Sequence, residues 1–150
     1  MSNSVEIKAT DHRDAFMDTL LNLDSDTFRK VMNVALSAAA SRLKKDTISK
    51  LRQKLGSVAD TPSKKYGFKL TDGVRMKKSV YDINVNIMGD YRLKWYENGT
   101  QPRQTKEGYN RGSMKAINFF SEARAATPVD DIIRKSITAF MDKLKKKGQI

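Results

Sequence analysis

The chain has 150 residues and no cysteine, and it carries 29 Lys and Arg against 17 Asp and Glu, a formal charge of +12. The missing thiols exclude disulfides and thiolate metal sites and suit a reducing compartment. No apolar run approaches the roughly 20 residues that span a bilayer, and the opening MSNSVEIKATDH lacks the basic-then-apolar pattern of a signal peptide, so a protein made and used in the cytoplasm, or in a particle assembled there, is expected. A chain of this length is expected to form one domain over 1–150, with 1–10 and 145–150 flexible. Its charge is uneven. Residues 1–27 hold six carboxylates against two cations, whereas 42–54 and 64–78 each hold six cations against one carboxylate, and 101–115 hold four against one. Such asymmetry suits a polyanion or complementary subunit contacts.

A first helix is predicted over 11–23, where Ala15, Phe16, Thr19, Leu20 and Leu23 recur on one face. Asp24, Ser25 and Asp26 break it and offer caps to a second, over 26–55. There Phe28, Val31, Met32, Ala35, Leu36, Ala39, Leu43, Thr47, Leu51 and Leu55 keep a helical period with no internal Pro or Gly. Residues 56–65, with Gly56, Asp60, Pro62 and Ser63, read as a linker inside the domain.

A strand is expected near 67–76, weakened or bent at Gly73. Residues 81–88 alternate strictly, with Tyr81, Ile83, Val85 and Ile87 on one face and Asp82, Asn84 and Asn86 on the other. A further strand is predicted over 92–97, joined to it by a loop over 89–91. That loop opposes Ile87 to Leu93 and Val85 to Trp95, which keeps apolar residues on one face.

Residues 100–115 contain Pro102, Gly108, Tyr109, Asn110, Gly112 and four cations, with almost nothing to form a core. A loop of that length in a compact domain is usually functional or disordered. Thr127 and Pro128 start the last helix as cap and first residue, Asp130 and Asp131 favour its dipole, and Ile132, Ile133, Ile137, Phe140, Met141 and Leu144 form its stripe. That helix is expected to dissolve into Lys145, Lys146 and Lys147. The fold class is therefore α+β: a small antiparallel sheet packed against a long helix, with a C-terminal helix and a long basic loop.

Catalytic chemistry is hard to place. His12 is the sole histidine and reads as a surface residue; adjacent Asp130 and Asp131 point apart on a helix; phosphate-loop and dinucleotide-binding glycine patterns are absent. No catalytic residue, cofactor or metal site is expected. Glu97 is the one carboxylate inside a motif, and ion pairing with a neighbour's Arg or Lys is the expected role.

That motif is the most informative stretch of the chain. Trp95 and Tyr96 run into Glu97, Asn98, Gly99 and Thr100, where Gly99 is expected to turn the backbone with positive φ and Thr100 to hydrogen-bond nearby. Before it stands LTDGVRMKKSV, and after it the basic loop and NFFSEA.

The order of these blocks resembles the head–tail joining family of tailed bacteriophages, the neck or tail-completion proteins. In that family a T-G-x-L-R-x-S-I-like block precedes the strand, an aromatic-Glu-x-Gly-Thr block follows, and a Pro-Phe-Leu-x-x-Ala-like block opens the last helix. Residues 71–80, 96–100 and 119–123 stand in those places here. Asp72 intrudes between Thr71 and Gly73, and no Pro precedes Phe119. The resemblance implies a homo-oligomeric ring in the virion neck, assembled in the host cytoplasm. Such a ring surrounds the DNA channel, touches adjacent connector and tail proteins, and makes only transient, non-specific contact with DNA.

On this reading Arg103, Lys106, Arg111 and Lys115 face the channel or a neighbouring subunit, Tyr96, Glu97 and Phe119 form a subunit interface, and Trp95 and Phe120 fill the core. The alternative is a free-standing nucleic-acid-binding protein, suggested by the charge and by Tyr66, Phe68 and Tyr109 among the cations.

Overall fold

A 31-residue helix is the spine on which everything else hangs. In the computed structural model, which describes residues 15–79 and 82–150, α1 (Ala15–Leu21) leads into this helix, α2 (Ser25–Leu55). The Asp24 carboxylate caps α2 by accepting from the Thr27 N–H at 2.8 Å and the Thr27 hydroxyl at 2.7 Å, and Gly56 ends it at φ 59°. The start of the first helix, residues 1–10, His12, the side chains of Ala15 and Phe16, and Tyr81 lie outside the described residues.

After α2 come 3-10 turns at Gly56–Ala59 and Leu70–Gly73, then β1 (Arg75–Lys78), β2 (Ile83–Asn86), α3 (Tyr91–Asn98), β3 (Arg103–Gln104), β4 (Asn110–Gly112), α4 (Phe119–Ala126) and α5 (Val129–Lys146). The class is α+β, as expected. β1 and β2 pair antiparallel, with Met76 opposite Val85 and Lys78 opposite Ile83, and β3 and β4 form a second two-stranded ribbon. No helix of the described residues is long and apolar enough to cross a membrane.

Five expectations are corrected. Residues 92–97 are helix, not strand. Asp90 caps α3 by accepting from the Arg92 N–H at 3.0 Å, and Leu93 and Glu97, one turn apart, are the two residues it buries. A polar residue on the core side hides the helical period, which left Leu93 and Trp95 looking like alternating strand positions.

The strand expected near 67–76 begins only at Arg75, because Gly73 ends a 3-10 turn where α3 comes very close. A Cβ on Gly73 would lie 2.6 Å from the Asp90 Cβ and 2.7 Å from Leu93 Cδ1. The phenylalanines open a separate helix, α4. Finally, Thr127 does not cap α5. Its hydroxyl proton is shared between Asp46 Oδ2, at 2.8 Å, and the Ala123 carbonyl, at 2.7 Å. Lys145 and Lys146 remain helical.

Two apolar clusters lie along the spine. Near its N-terminus Leu20, Val31, Ala35, Ile137 and Met141 are buried together where α5 packs on α2. Toward its C-terminus Leu51, Ala59, Leu70, Val74, Leu93 and Phe119 form the other, with Val85, Tyr96, Ile117 and Phe120 packed against it.

Candidate interaction surface

The Trp-Tyr-Glu-Asn-Gly-Thr block is a clasp. Glu97 is 5 % exposed and lies at the N-terminus of α4. It accepts from the Phe120 N–H at 2.8 Å, the Ser121 N–H at 2.9 Å and the Ser121 hydroxyl. Asn118, at the cap position, is left-handed at φ 52° and makes no side-chain cap bond, so a carboxylate from another helix supplies what the first turn lacks. An interface role for Glu97, with ion pairing to a neighbouring subunit, is thereby corrected: its oxygens are spent inside the chain.

Gly99 has φ 73° and ψ −178°, a region essentially reserved for glycine. A Cβ there would lie 2.7 Å from the Met114 carbonyl and 2.9 Å from the Ala116 nitrogen. Thr100 completes the clasp: its N–H donates to the Met114 carbonyl at 2.9 Å, and its hydroxyl accepts from the Met114 N–H at 2.8 Å. Tyr96 accepts at its carbonyl from the Ile117 N–H at 2.8 Å, and its side chain is half-buried against the core.

Phe119, expected at an interface, is fully buried in that core, whereas Phe120 is partly buried with the Arg124 guanidinium 4.6 Å from its ring centroid. Neighbouring residues on a helix point about 100° apart, so only one of the pair can aim at the core. It is the first, which shares the buried face of α4 with Ala123 one turn on.

Above the clasp stands the basic loop, a β3–β4 hairpin whose ends are pinned together at Thr100 and Met114. Arg103, Lys106 and Arg111 are exposed on it, and Lys115 is exposed just past its foot. They do not gather with Tyr96, Glu97 and Phe119, which belong to the body beneath.

The sequence did not reveal the aromatic ledge beside the hairpin. Tyr66 and Tyr91 meet edge to face at 5.5 Å with their hydroxyls hydrogen-bonded, and Tyr91 meets Trp95 at 5.0 Å. Arg92 lies 5.0 Å from the Tyr66 centroid and 5.5 Å from that of Phe68, and Arg103 lies 5.6 Å from that of Trp95. Arg92 is fixed there by the buried Asp90 carboxylate at 2.6 Å, whose hydrogen bond raises the Arg92 pKa further, and by the Phe68 carbonyl at 3.3 Å. Tyr91 and Trp95 meet because they sit one turn apart on α3, a relation that the strand reading conceals.

At the other end of α2 an apolar groove of about 490 Å³ runs between α1 and α2. Leu20, Leu21, Leu23, Phe28, Met32 and Leu36 line it, with Leu21 61 % exposed. Exposed Asp18, Asp24 and Asp26 lie on the same short stretch of chain. No family model, curated protein or solved structure matches this chain.

Proposed function

We propose that this protein is a structural subunit of a phage neck, one copy of a ring that joins the DNA-filled head to the tail around the DNA channel. What carries the reading is that the two most distinctive blocks of the resemblance meet in space, with Glu97 of the aromatic-Glu-x-Gly-Thr block capping the helix opened by Phe119 and Phe120. Each motif residue then has a mechanical role, since Glu97 caps, Gly99 permits the close approach, and Thr100 shuts the base of a cationic hairpin. A rigid body presenting an exposed basic hairpin suits a part that DNA must pass without being held. Weak, salt-screened contacts from Arg103, Lys106, Arg111 and Lys115 would suffice, whereas tight binding would impede transit. Catalysis plays no part in this reading.

Electron microscopy of a lysate from a phage or prophage lacking this gene tests it. Filled heads lying apart from finished tails are expected, and normally joined virions would overturn the proposal. Replacing Arg103, Lys106 and Arg111 together by Ala is expected to impair joining while leaving the folded chain intact.

The second reading, a free-standing nucleic-acid-binding protein, draws on the same exposed cations of the hairpin. It requires retention of duplex or single strands near physiological salt and steep loss as salt rises. Weak binding under those conditions would dismiss it.

A further inference from the structure

The ledge and the groove lie toward opposite ends of α2, and they cannot meet within one chain. The ledge is tied to the C-terminal end of α2 through Asp60, which accepts from Arg52 at 2.7 Å and from the Thr71 hydroxyl at 3.3 Å. The groove is walled by α1 and by α2 as far as Leu36. At 1.5 Å per residue, Leu36 and Arg52 are roughly 24 Å apart along the helix. The ledge exposes aromatic surface, with Phe68 37 % and Tyr91 48 % exposed, and the exposed cations Lys65 and Arg103 lie against its rings. The groove exposes Leu21 and Phe28, and on the same stretch of chain the exposed carboxylates Asp18, Asp24 and Asp26 stand against the exposed cations Arg29 and Lys30.

We propose that the aromatic–basic ledge of one copy docks into the apolar, acid-flanked groove of the next, a head-to-tail contact between copies of this chain. The inference takes its partner from the ring reading. A contact that joins two different patches is heterologous, so each copy keeps one free patch for a further copy, and a suitable rotation closes the series into a ring. Apolar and aromatic groups at the centre with opposite charges around them are what such an interface requires.

Nucleobases fit the ledge less well. Three of the four rings already carry the chain's own cations, Lys65 and Arg92 on Tyr66, Arg92 on Phe68 and Arg103 on Trp95, and a stacking base would have to compete with them.

Sedimentation velocity of the full chain and two charge-reversed variants tests the proposal, with circular dichroism confirming unchanged helix content. The groove-side variant carries Asp18→Lys and Asp26→Lys; the ledge-side variant carries Lys65→Glu and Arg103→Glu. The unaltered chain should self-associate, and each variant should associate about tenfold more weakly or worse. An equimolar mixture of the two variants should regain association, because the native groove of one meets the native ledge of the other and the reversed groove meets the reversed ledge. Placing all four reversals in one chain should restore association.

If the unaltered chain associates and both variants do so equally well, the contact lies elsewhere; the inference falls while the ring reading stands. If the unaltered chain stays monomeric at its highest soluble concentration, the inference falls as well, and the gene-deletion micrographs decide the neck reading separately. A ledge-side variant that sediments like the unaltered chain but loses salt-sensitive retention on duplex DNA would assign the ledge to phosphate binding, again overturning the inference.

Discussion

The two halves of α2 are held by different means. Its N-terminal half meets α5 through a cluster whose buried members, Leu20, Val31, Ala35, Ile137 and Met141, are all apolar. The buried polar residues, Thr47, Thr71, Asp90, Glu97 and Thr127, all fall in the other half, where short elements and loops must be fastened one by one. Among the described residues no buried side-chain nitrogen or oxygen lacks a hydrogen-bond partner. A helix pair can be specified by periodic burial alone, which is non-directional. A region of loops cannot, because each buried N–H and C=O needs a named partner, and losing that partner costs more than the bond itself contributes.

The largest effect should come from the apolar centre of the fastened half. Phe119→Ala should lower stability by about 3–5 kcal/mol, measured by chemical denaturation, whereas Ile137→Val in the helix pair should cost only about 1 kcal/mol. A small loss at Phe119 would mean that it is not the centre of that core.

Gly99→Ala comes next. The substitution combines glycine-only backbone angles with contacts to the main chain of Met114 and Ala116, and about 3 kcal/mol is expected in the same assay. A variant as stable as the unaltered protein would refute the close approach.

Glu97→Ala should cost about 2 kcal/mol, and Glu97→Gln, which keeps one accepting oxygen, about half of that. Amide hydrogen exchange sharpens the comparison. Protection should fall first at Phe120 and Ser121 in α4 while α5 is unchanged, and equal loss in both helices would mean that the two halves are not fastened independently.

The smallest effect is acid dependence. Lys54, assisted by Lys50, holds the exposed Glu122 carboxyl below its ordinary value of 4.5, and Arg52 holds that of Asp60 below 3.8. A carboxyl whose folded pKa is depressed adds stability that is present above its unfolded value and is lost as pH falls through the folded one. The loss therefore lies below about pH 4.5, and Glu122→Gln should slightly flatten the acid limb of stability against pH. An unchanged limb would show that screening by solvent leaves this tie without weight.

The same division governs what could be read from the sequence. α2 was legible because a long apolar repeat bounded by Asp24 and Gly56 permits few alternatives, and the stripe of α5 likewise announced itself. α3 was not, because its core face includes Glu97, and a buried carboxylate reads as an exposed one until its partners are known. Phe119 and Phe120 were interchanged for a comparable reason: Phe119 shares the buried face of α4 with Ala123, one turn on, and a helix read only as a short aromatic block does not show that face. Gly99 was legible as a turn, since a positive φ is the usual need for glycine at such a place. The ledge was hidden because it draws Tyr66 and Phe68 from one segment and Tyr91 and Trp95 from a helix taken for a strand.

Because Thr100 and Met114 lock the foot of the hairpin, its tip is mechanically decoupled from the domain. Gly108 has open space around the position a Cβ would take, and the chain ends that matter are already joined below it. Lengthening a flexible loop costs only about 0.6 kcal/mol per doubling. The tip is thus a graft point, where an epitope or a fluorescent label can be spliced in to report on this protein in an assembling particle without disturbing the body that carries it.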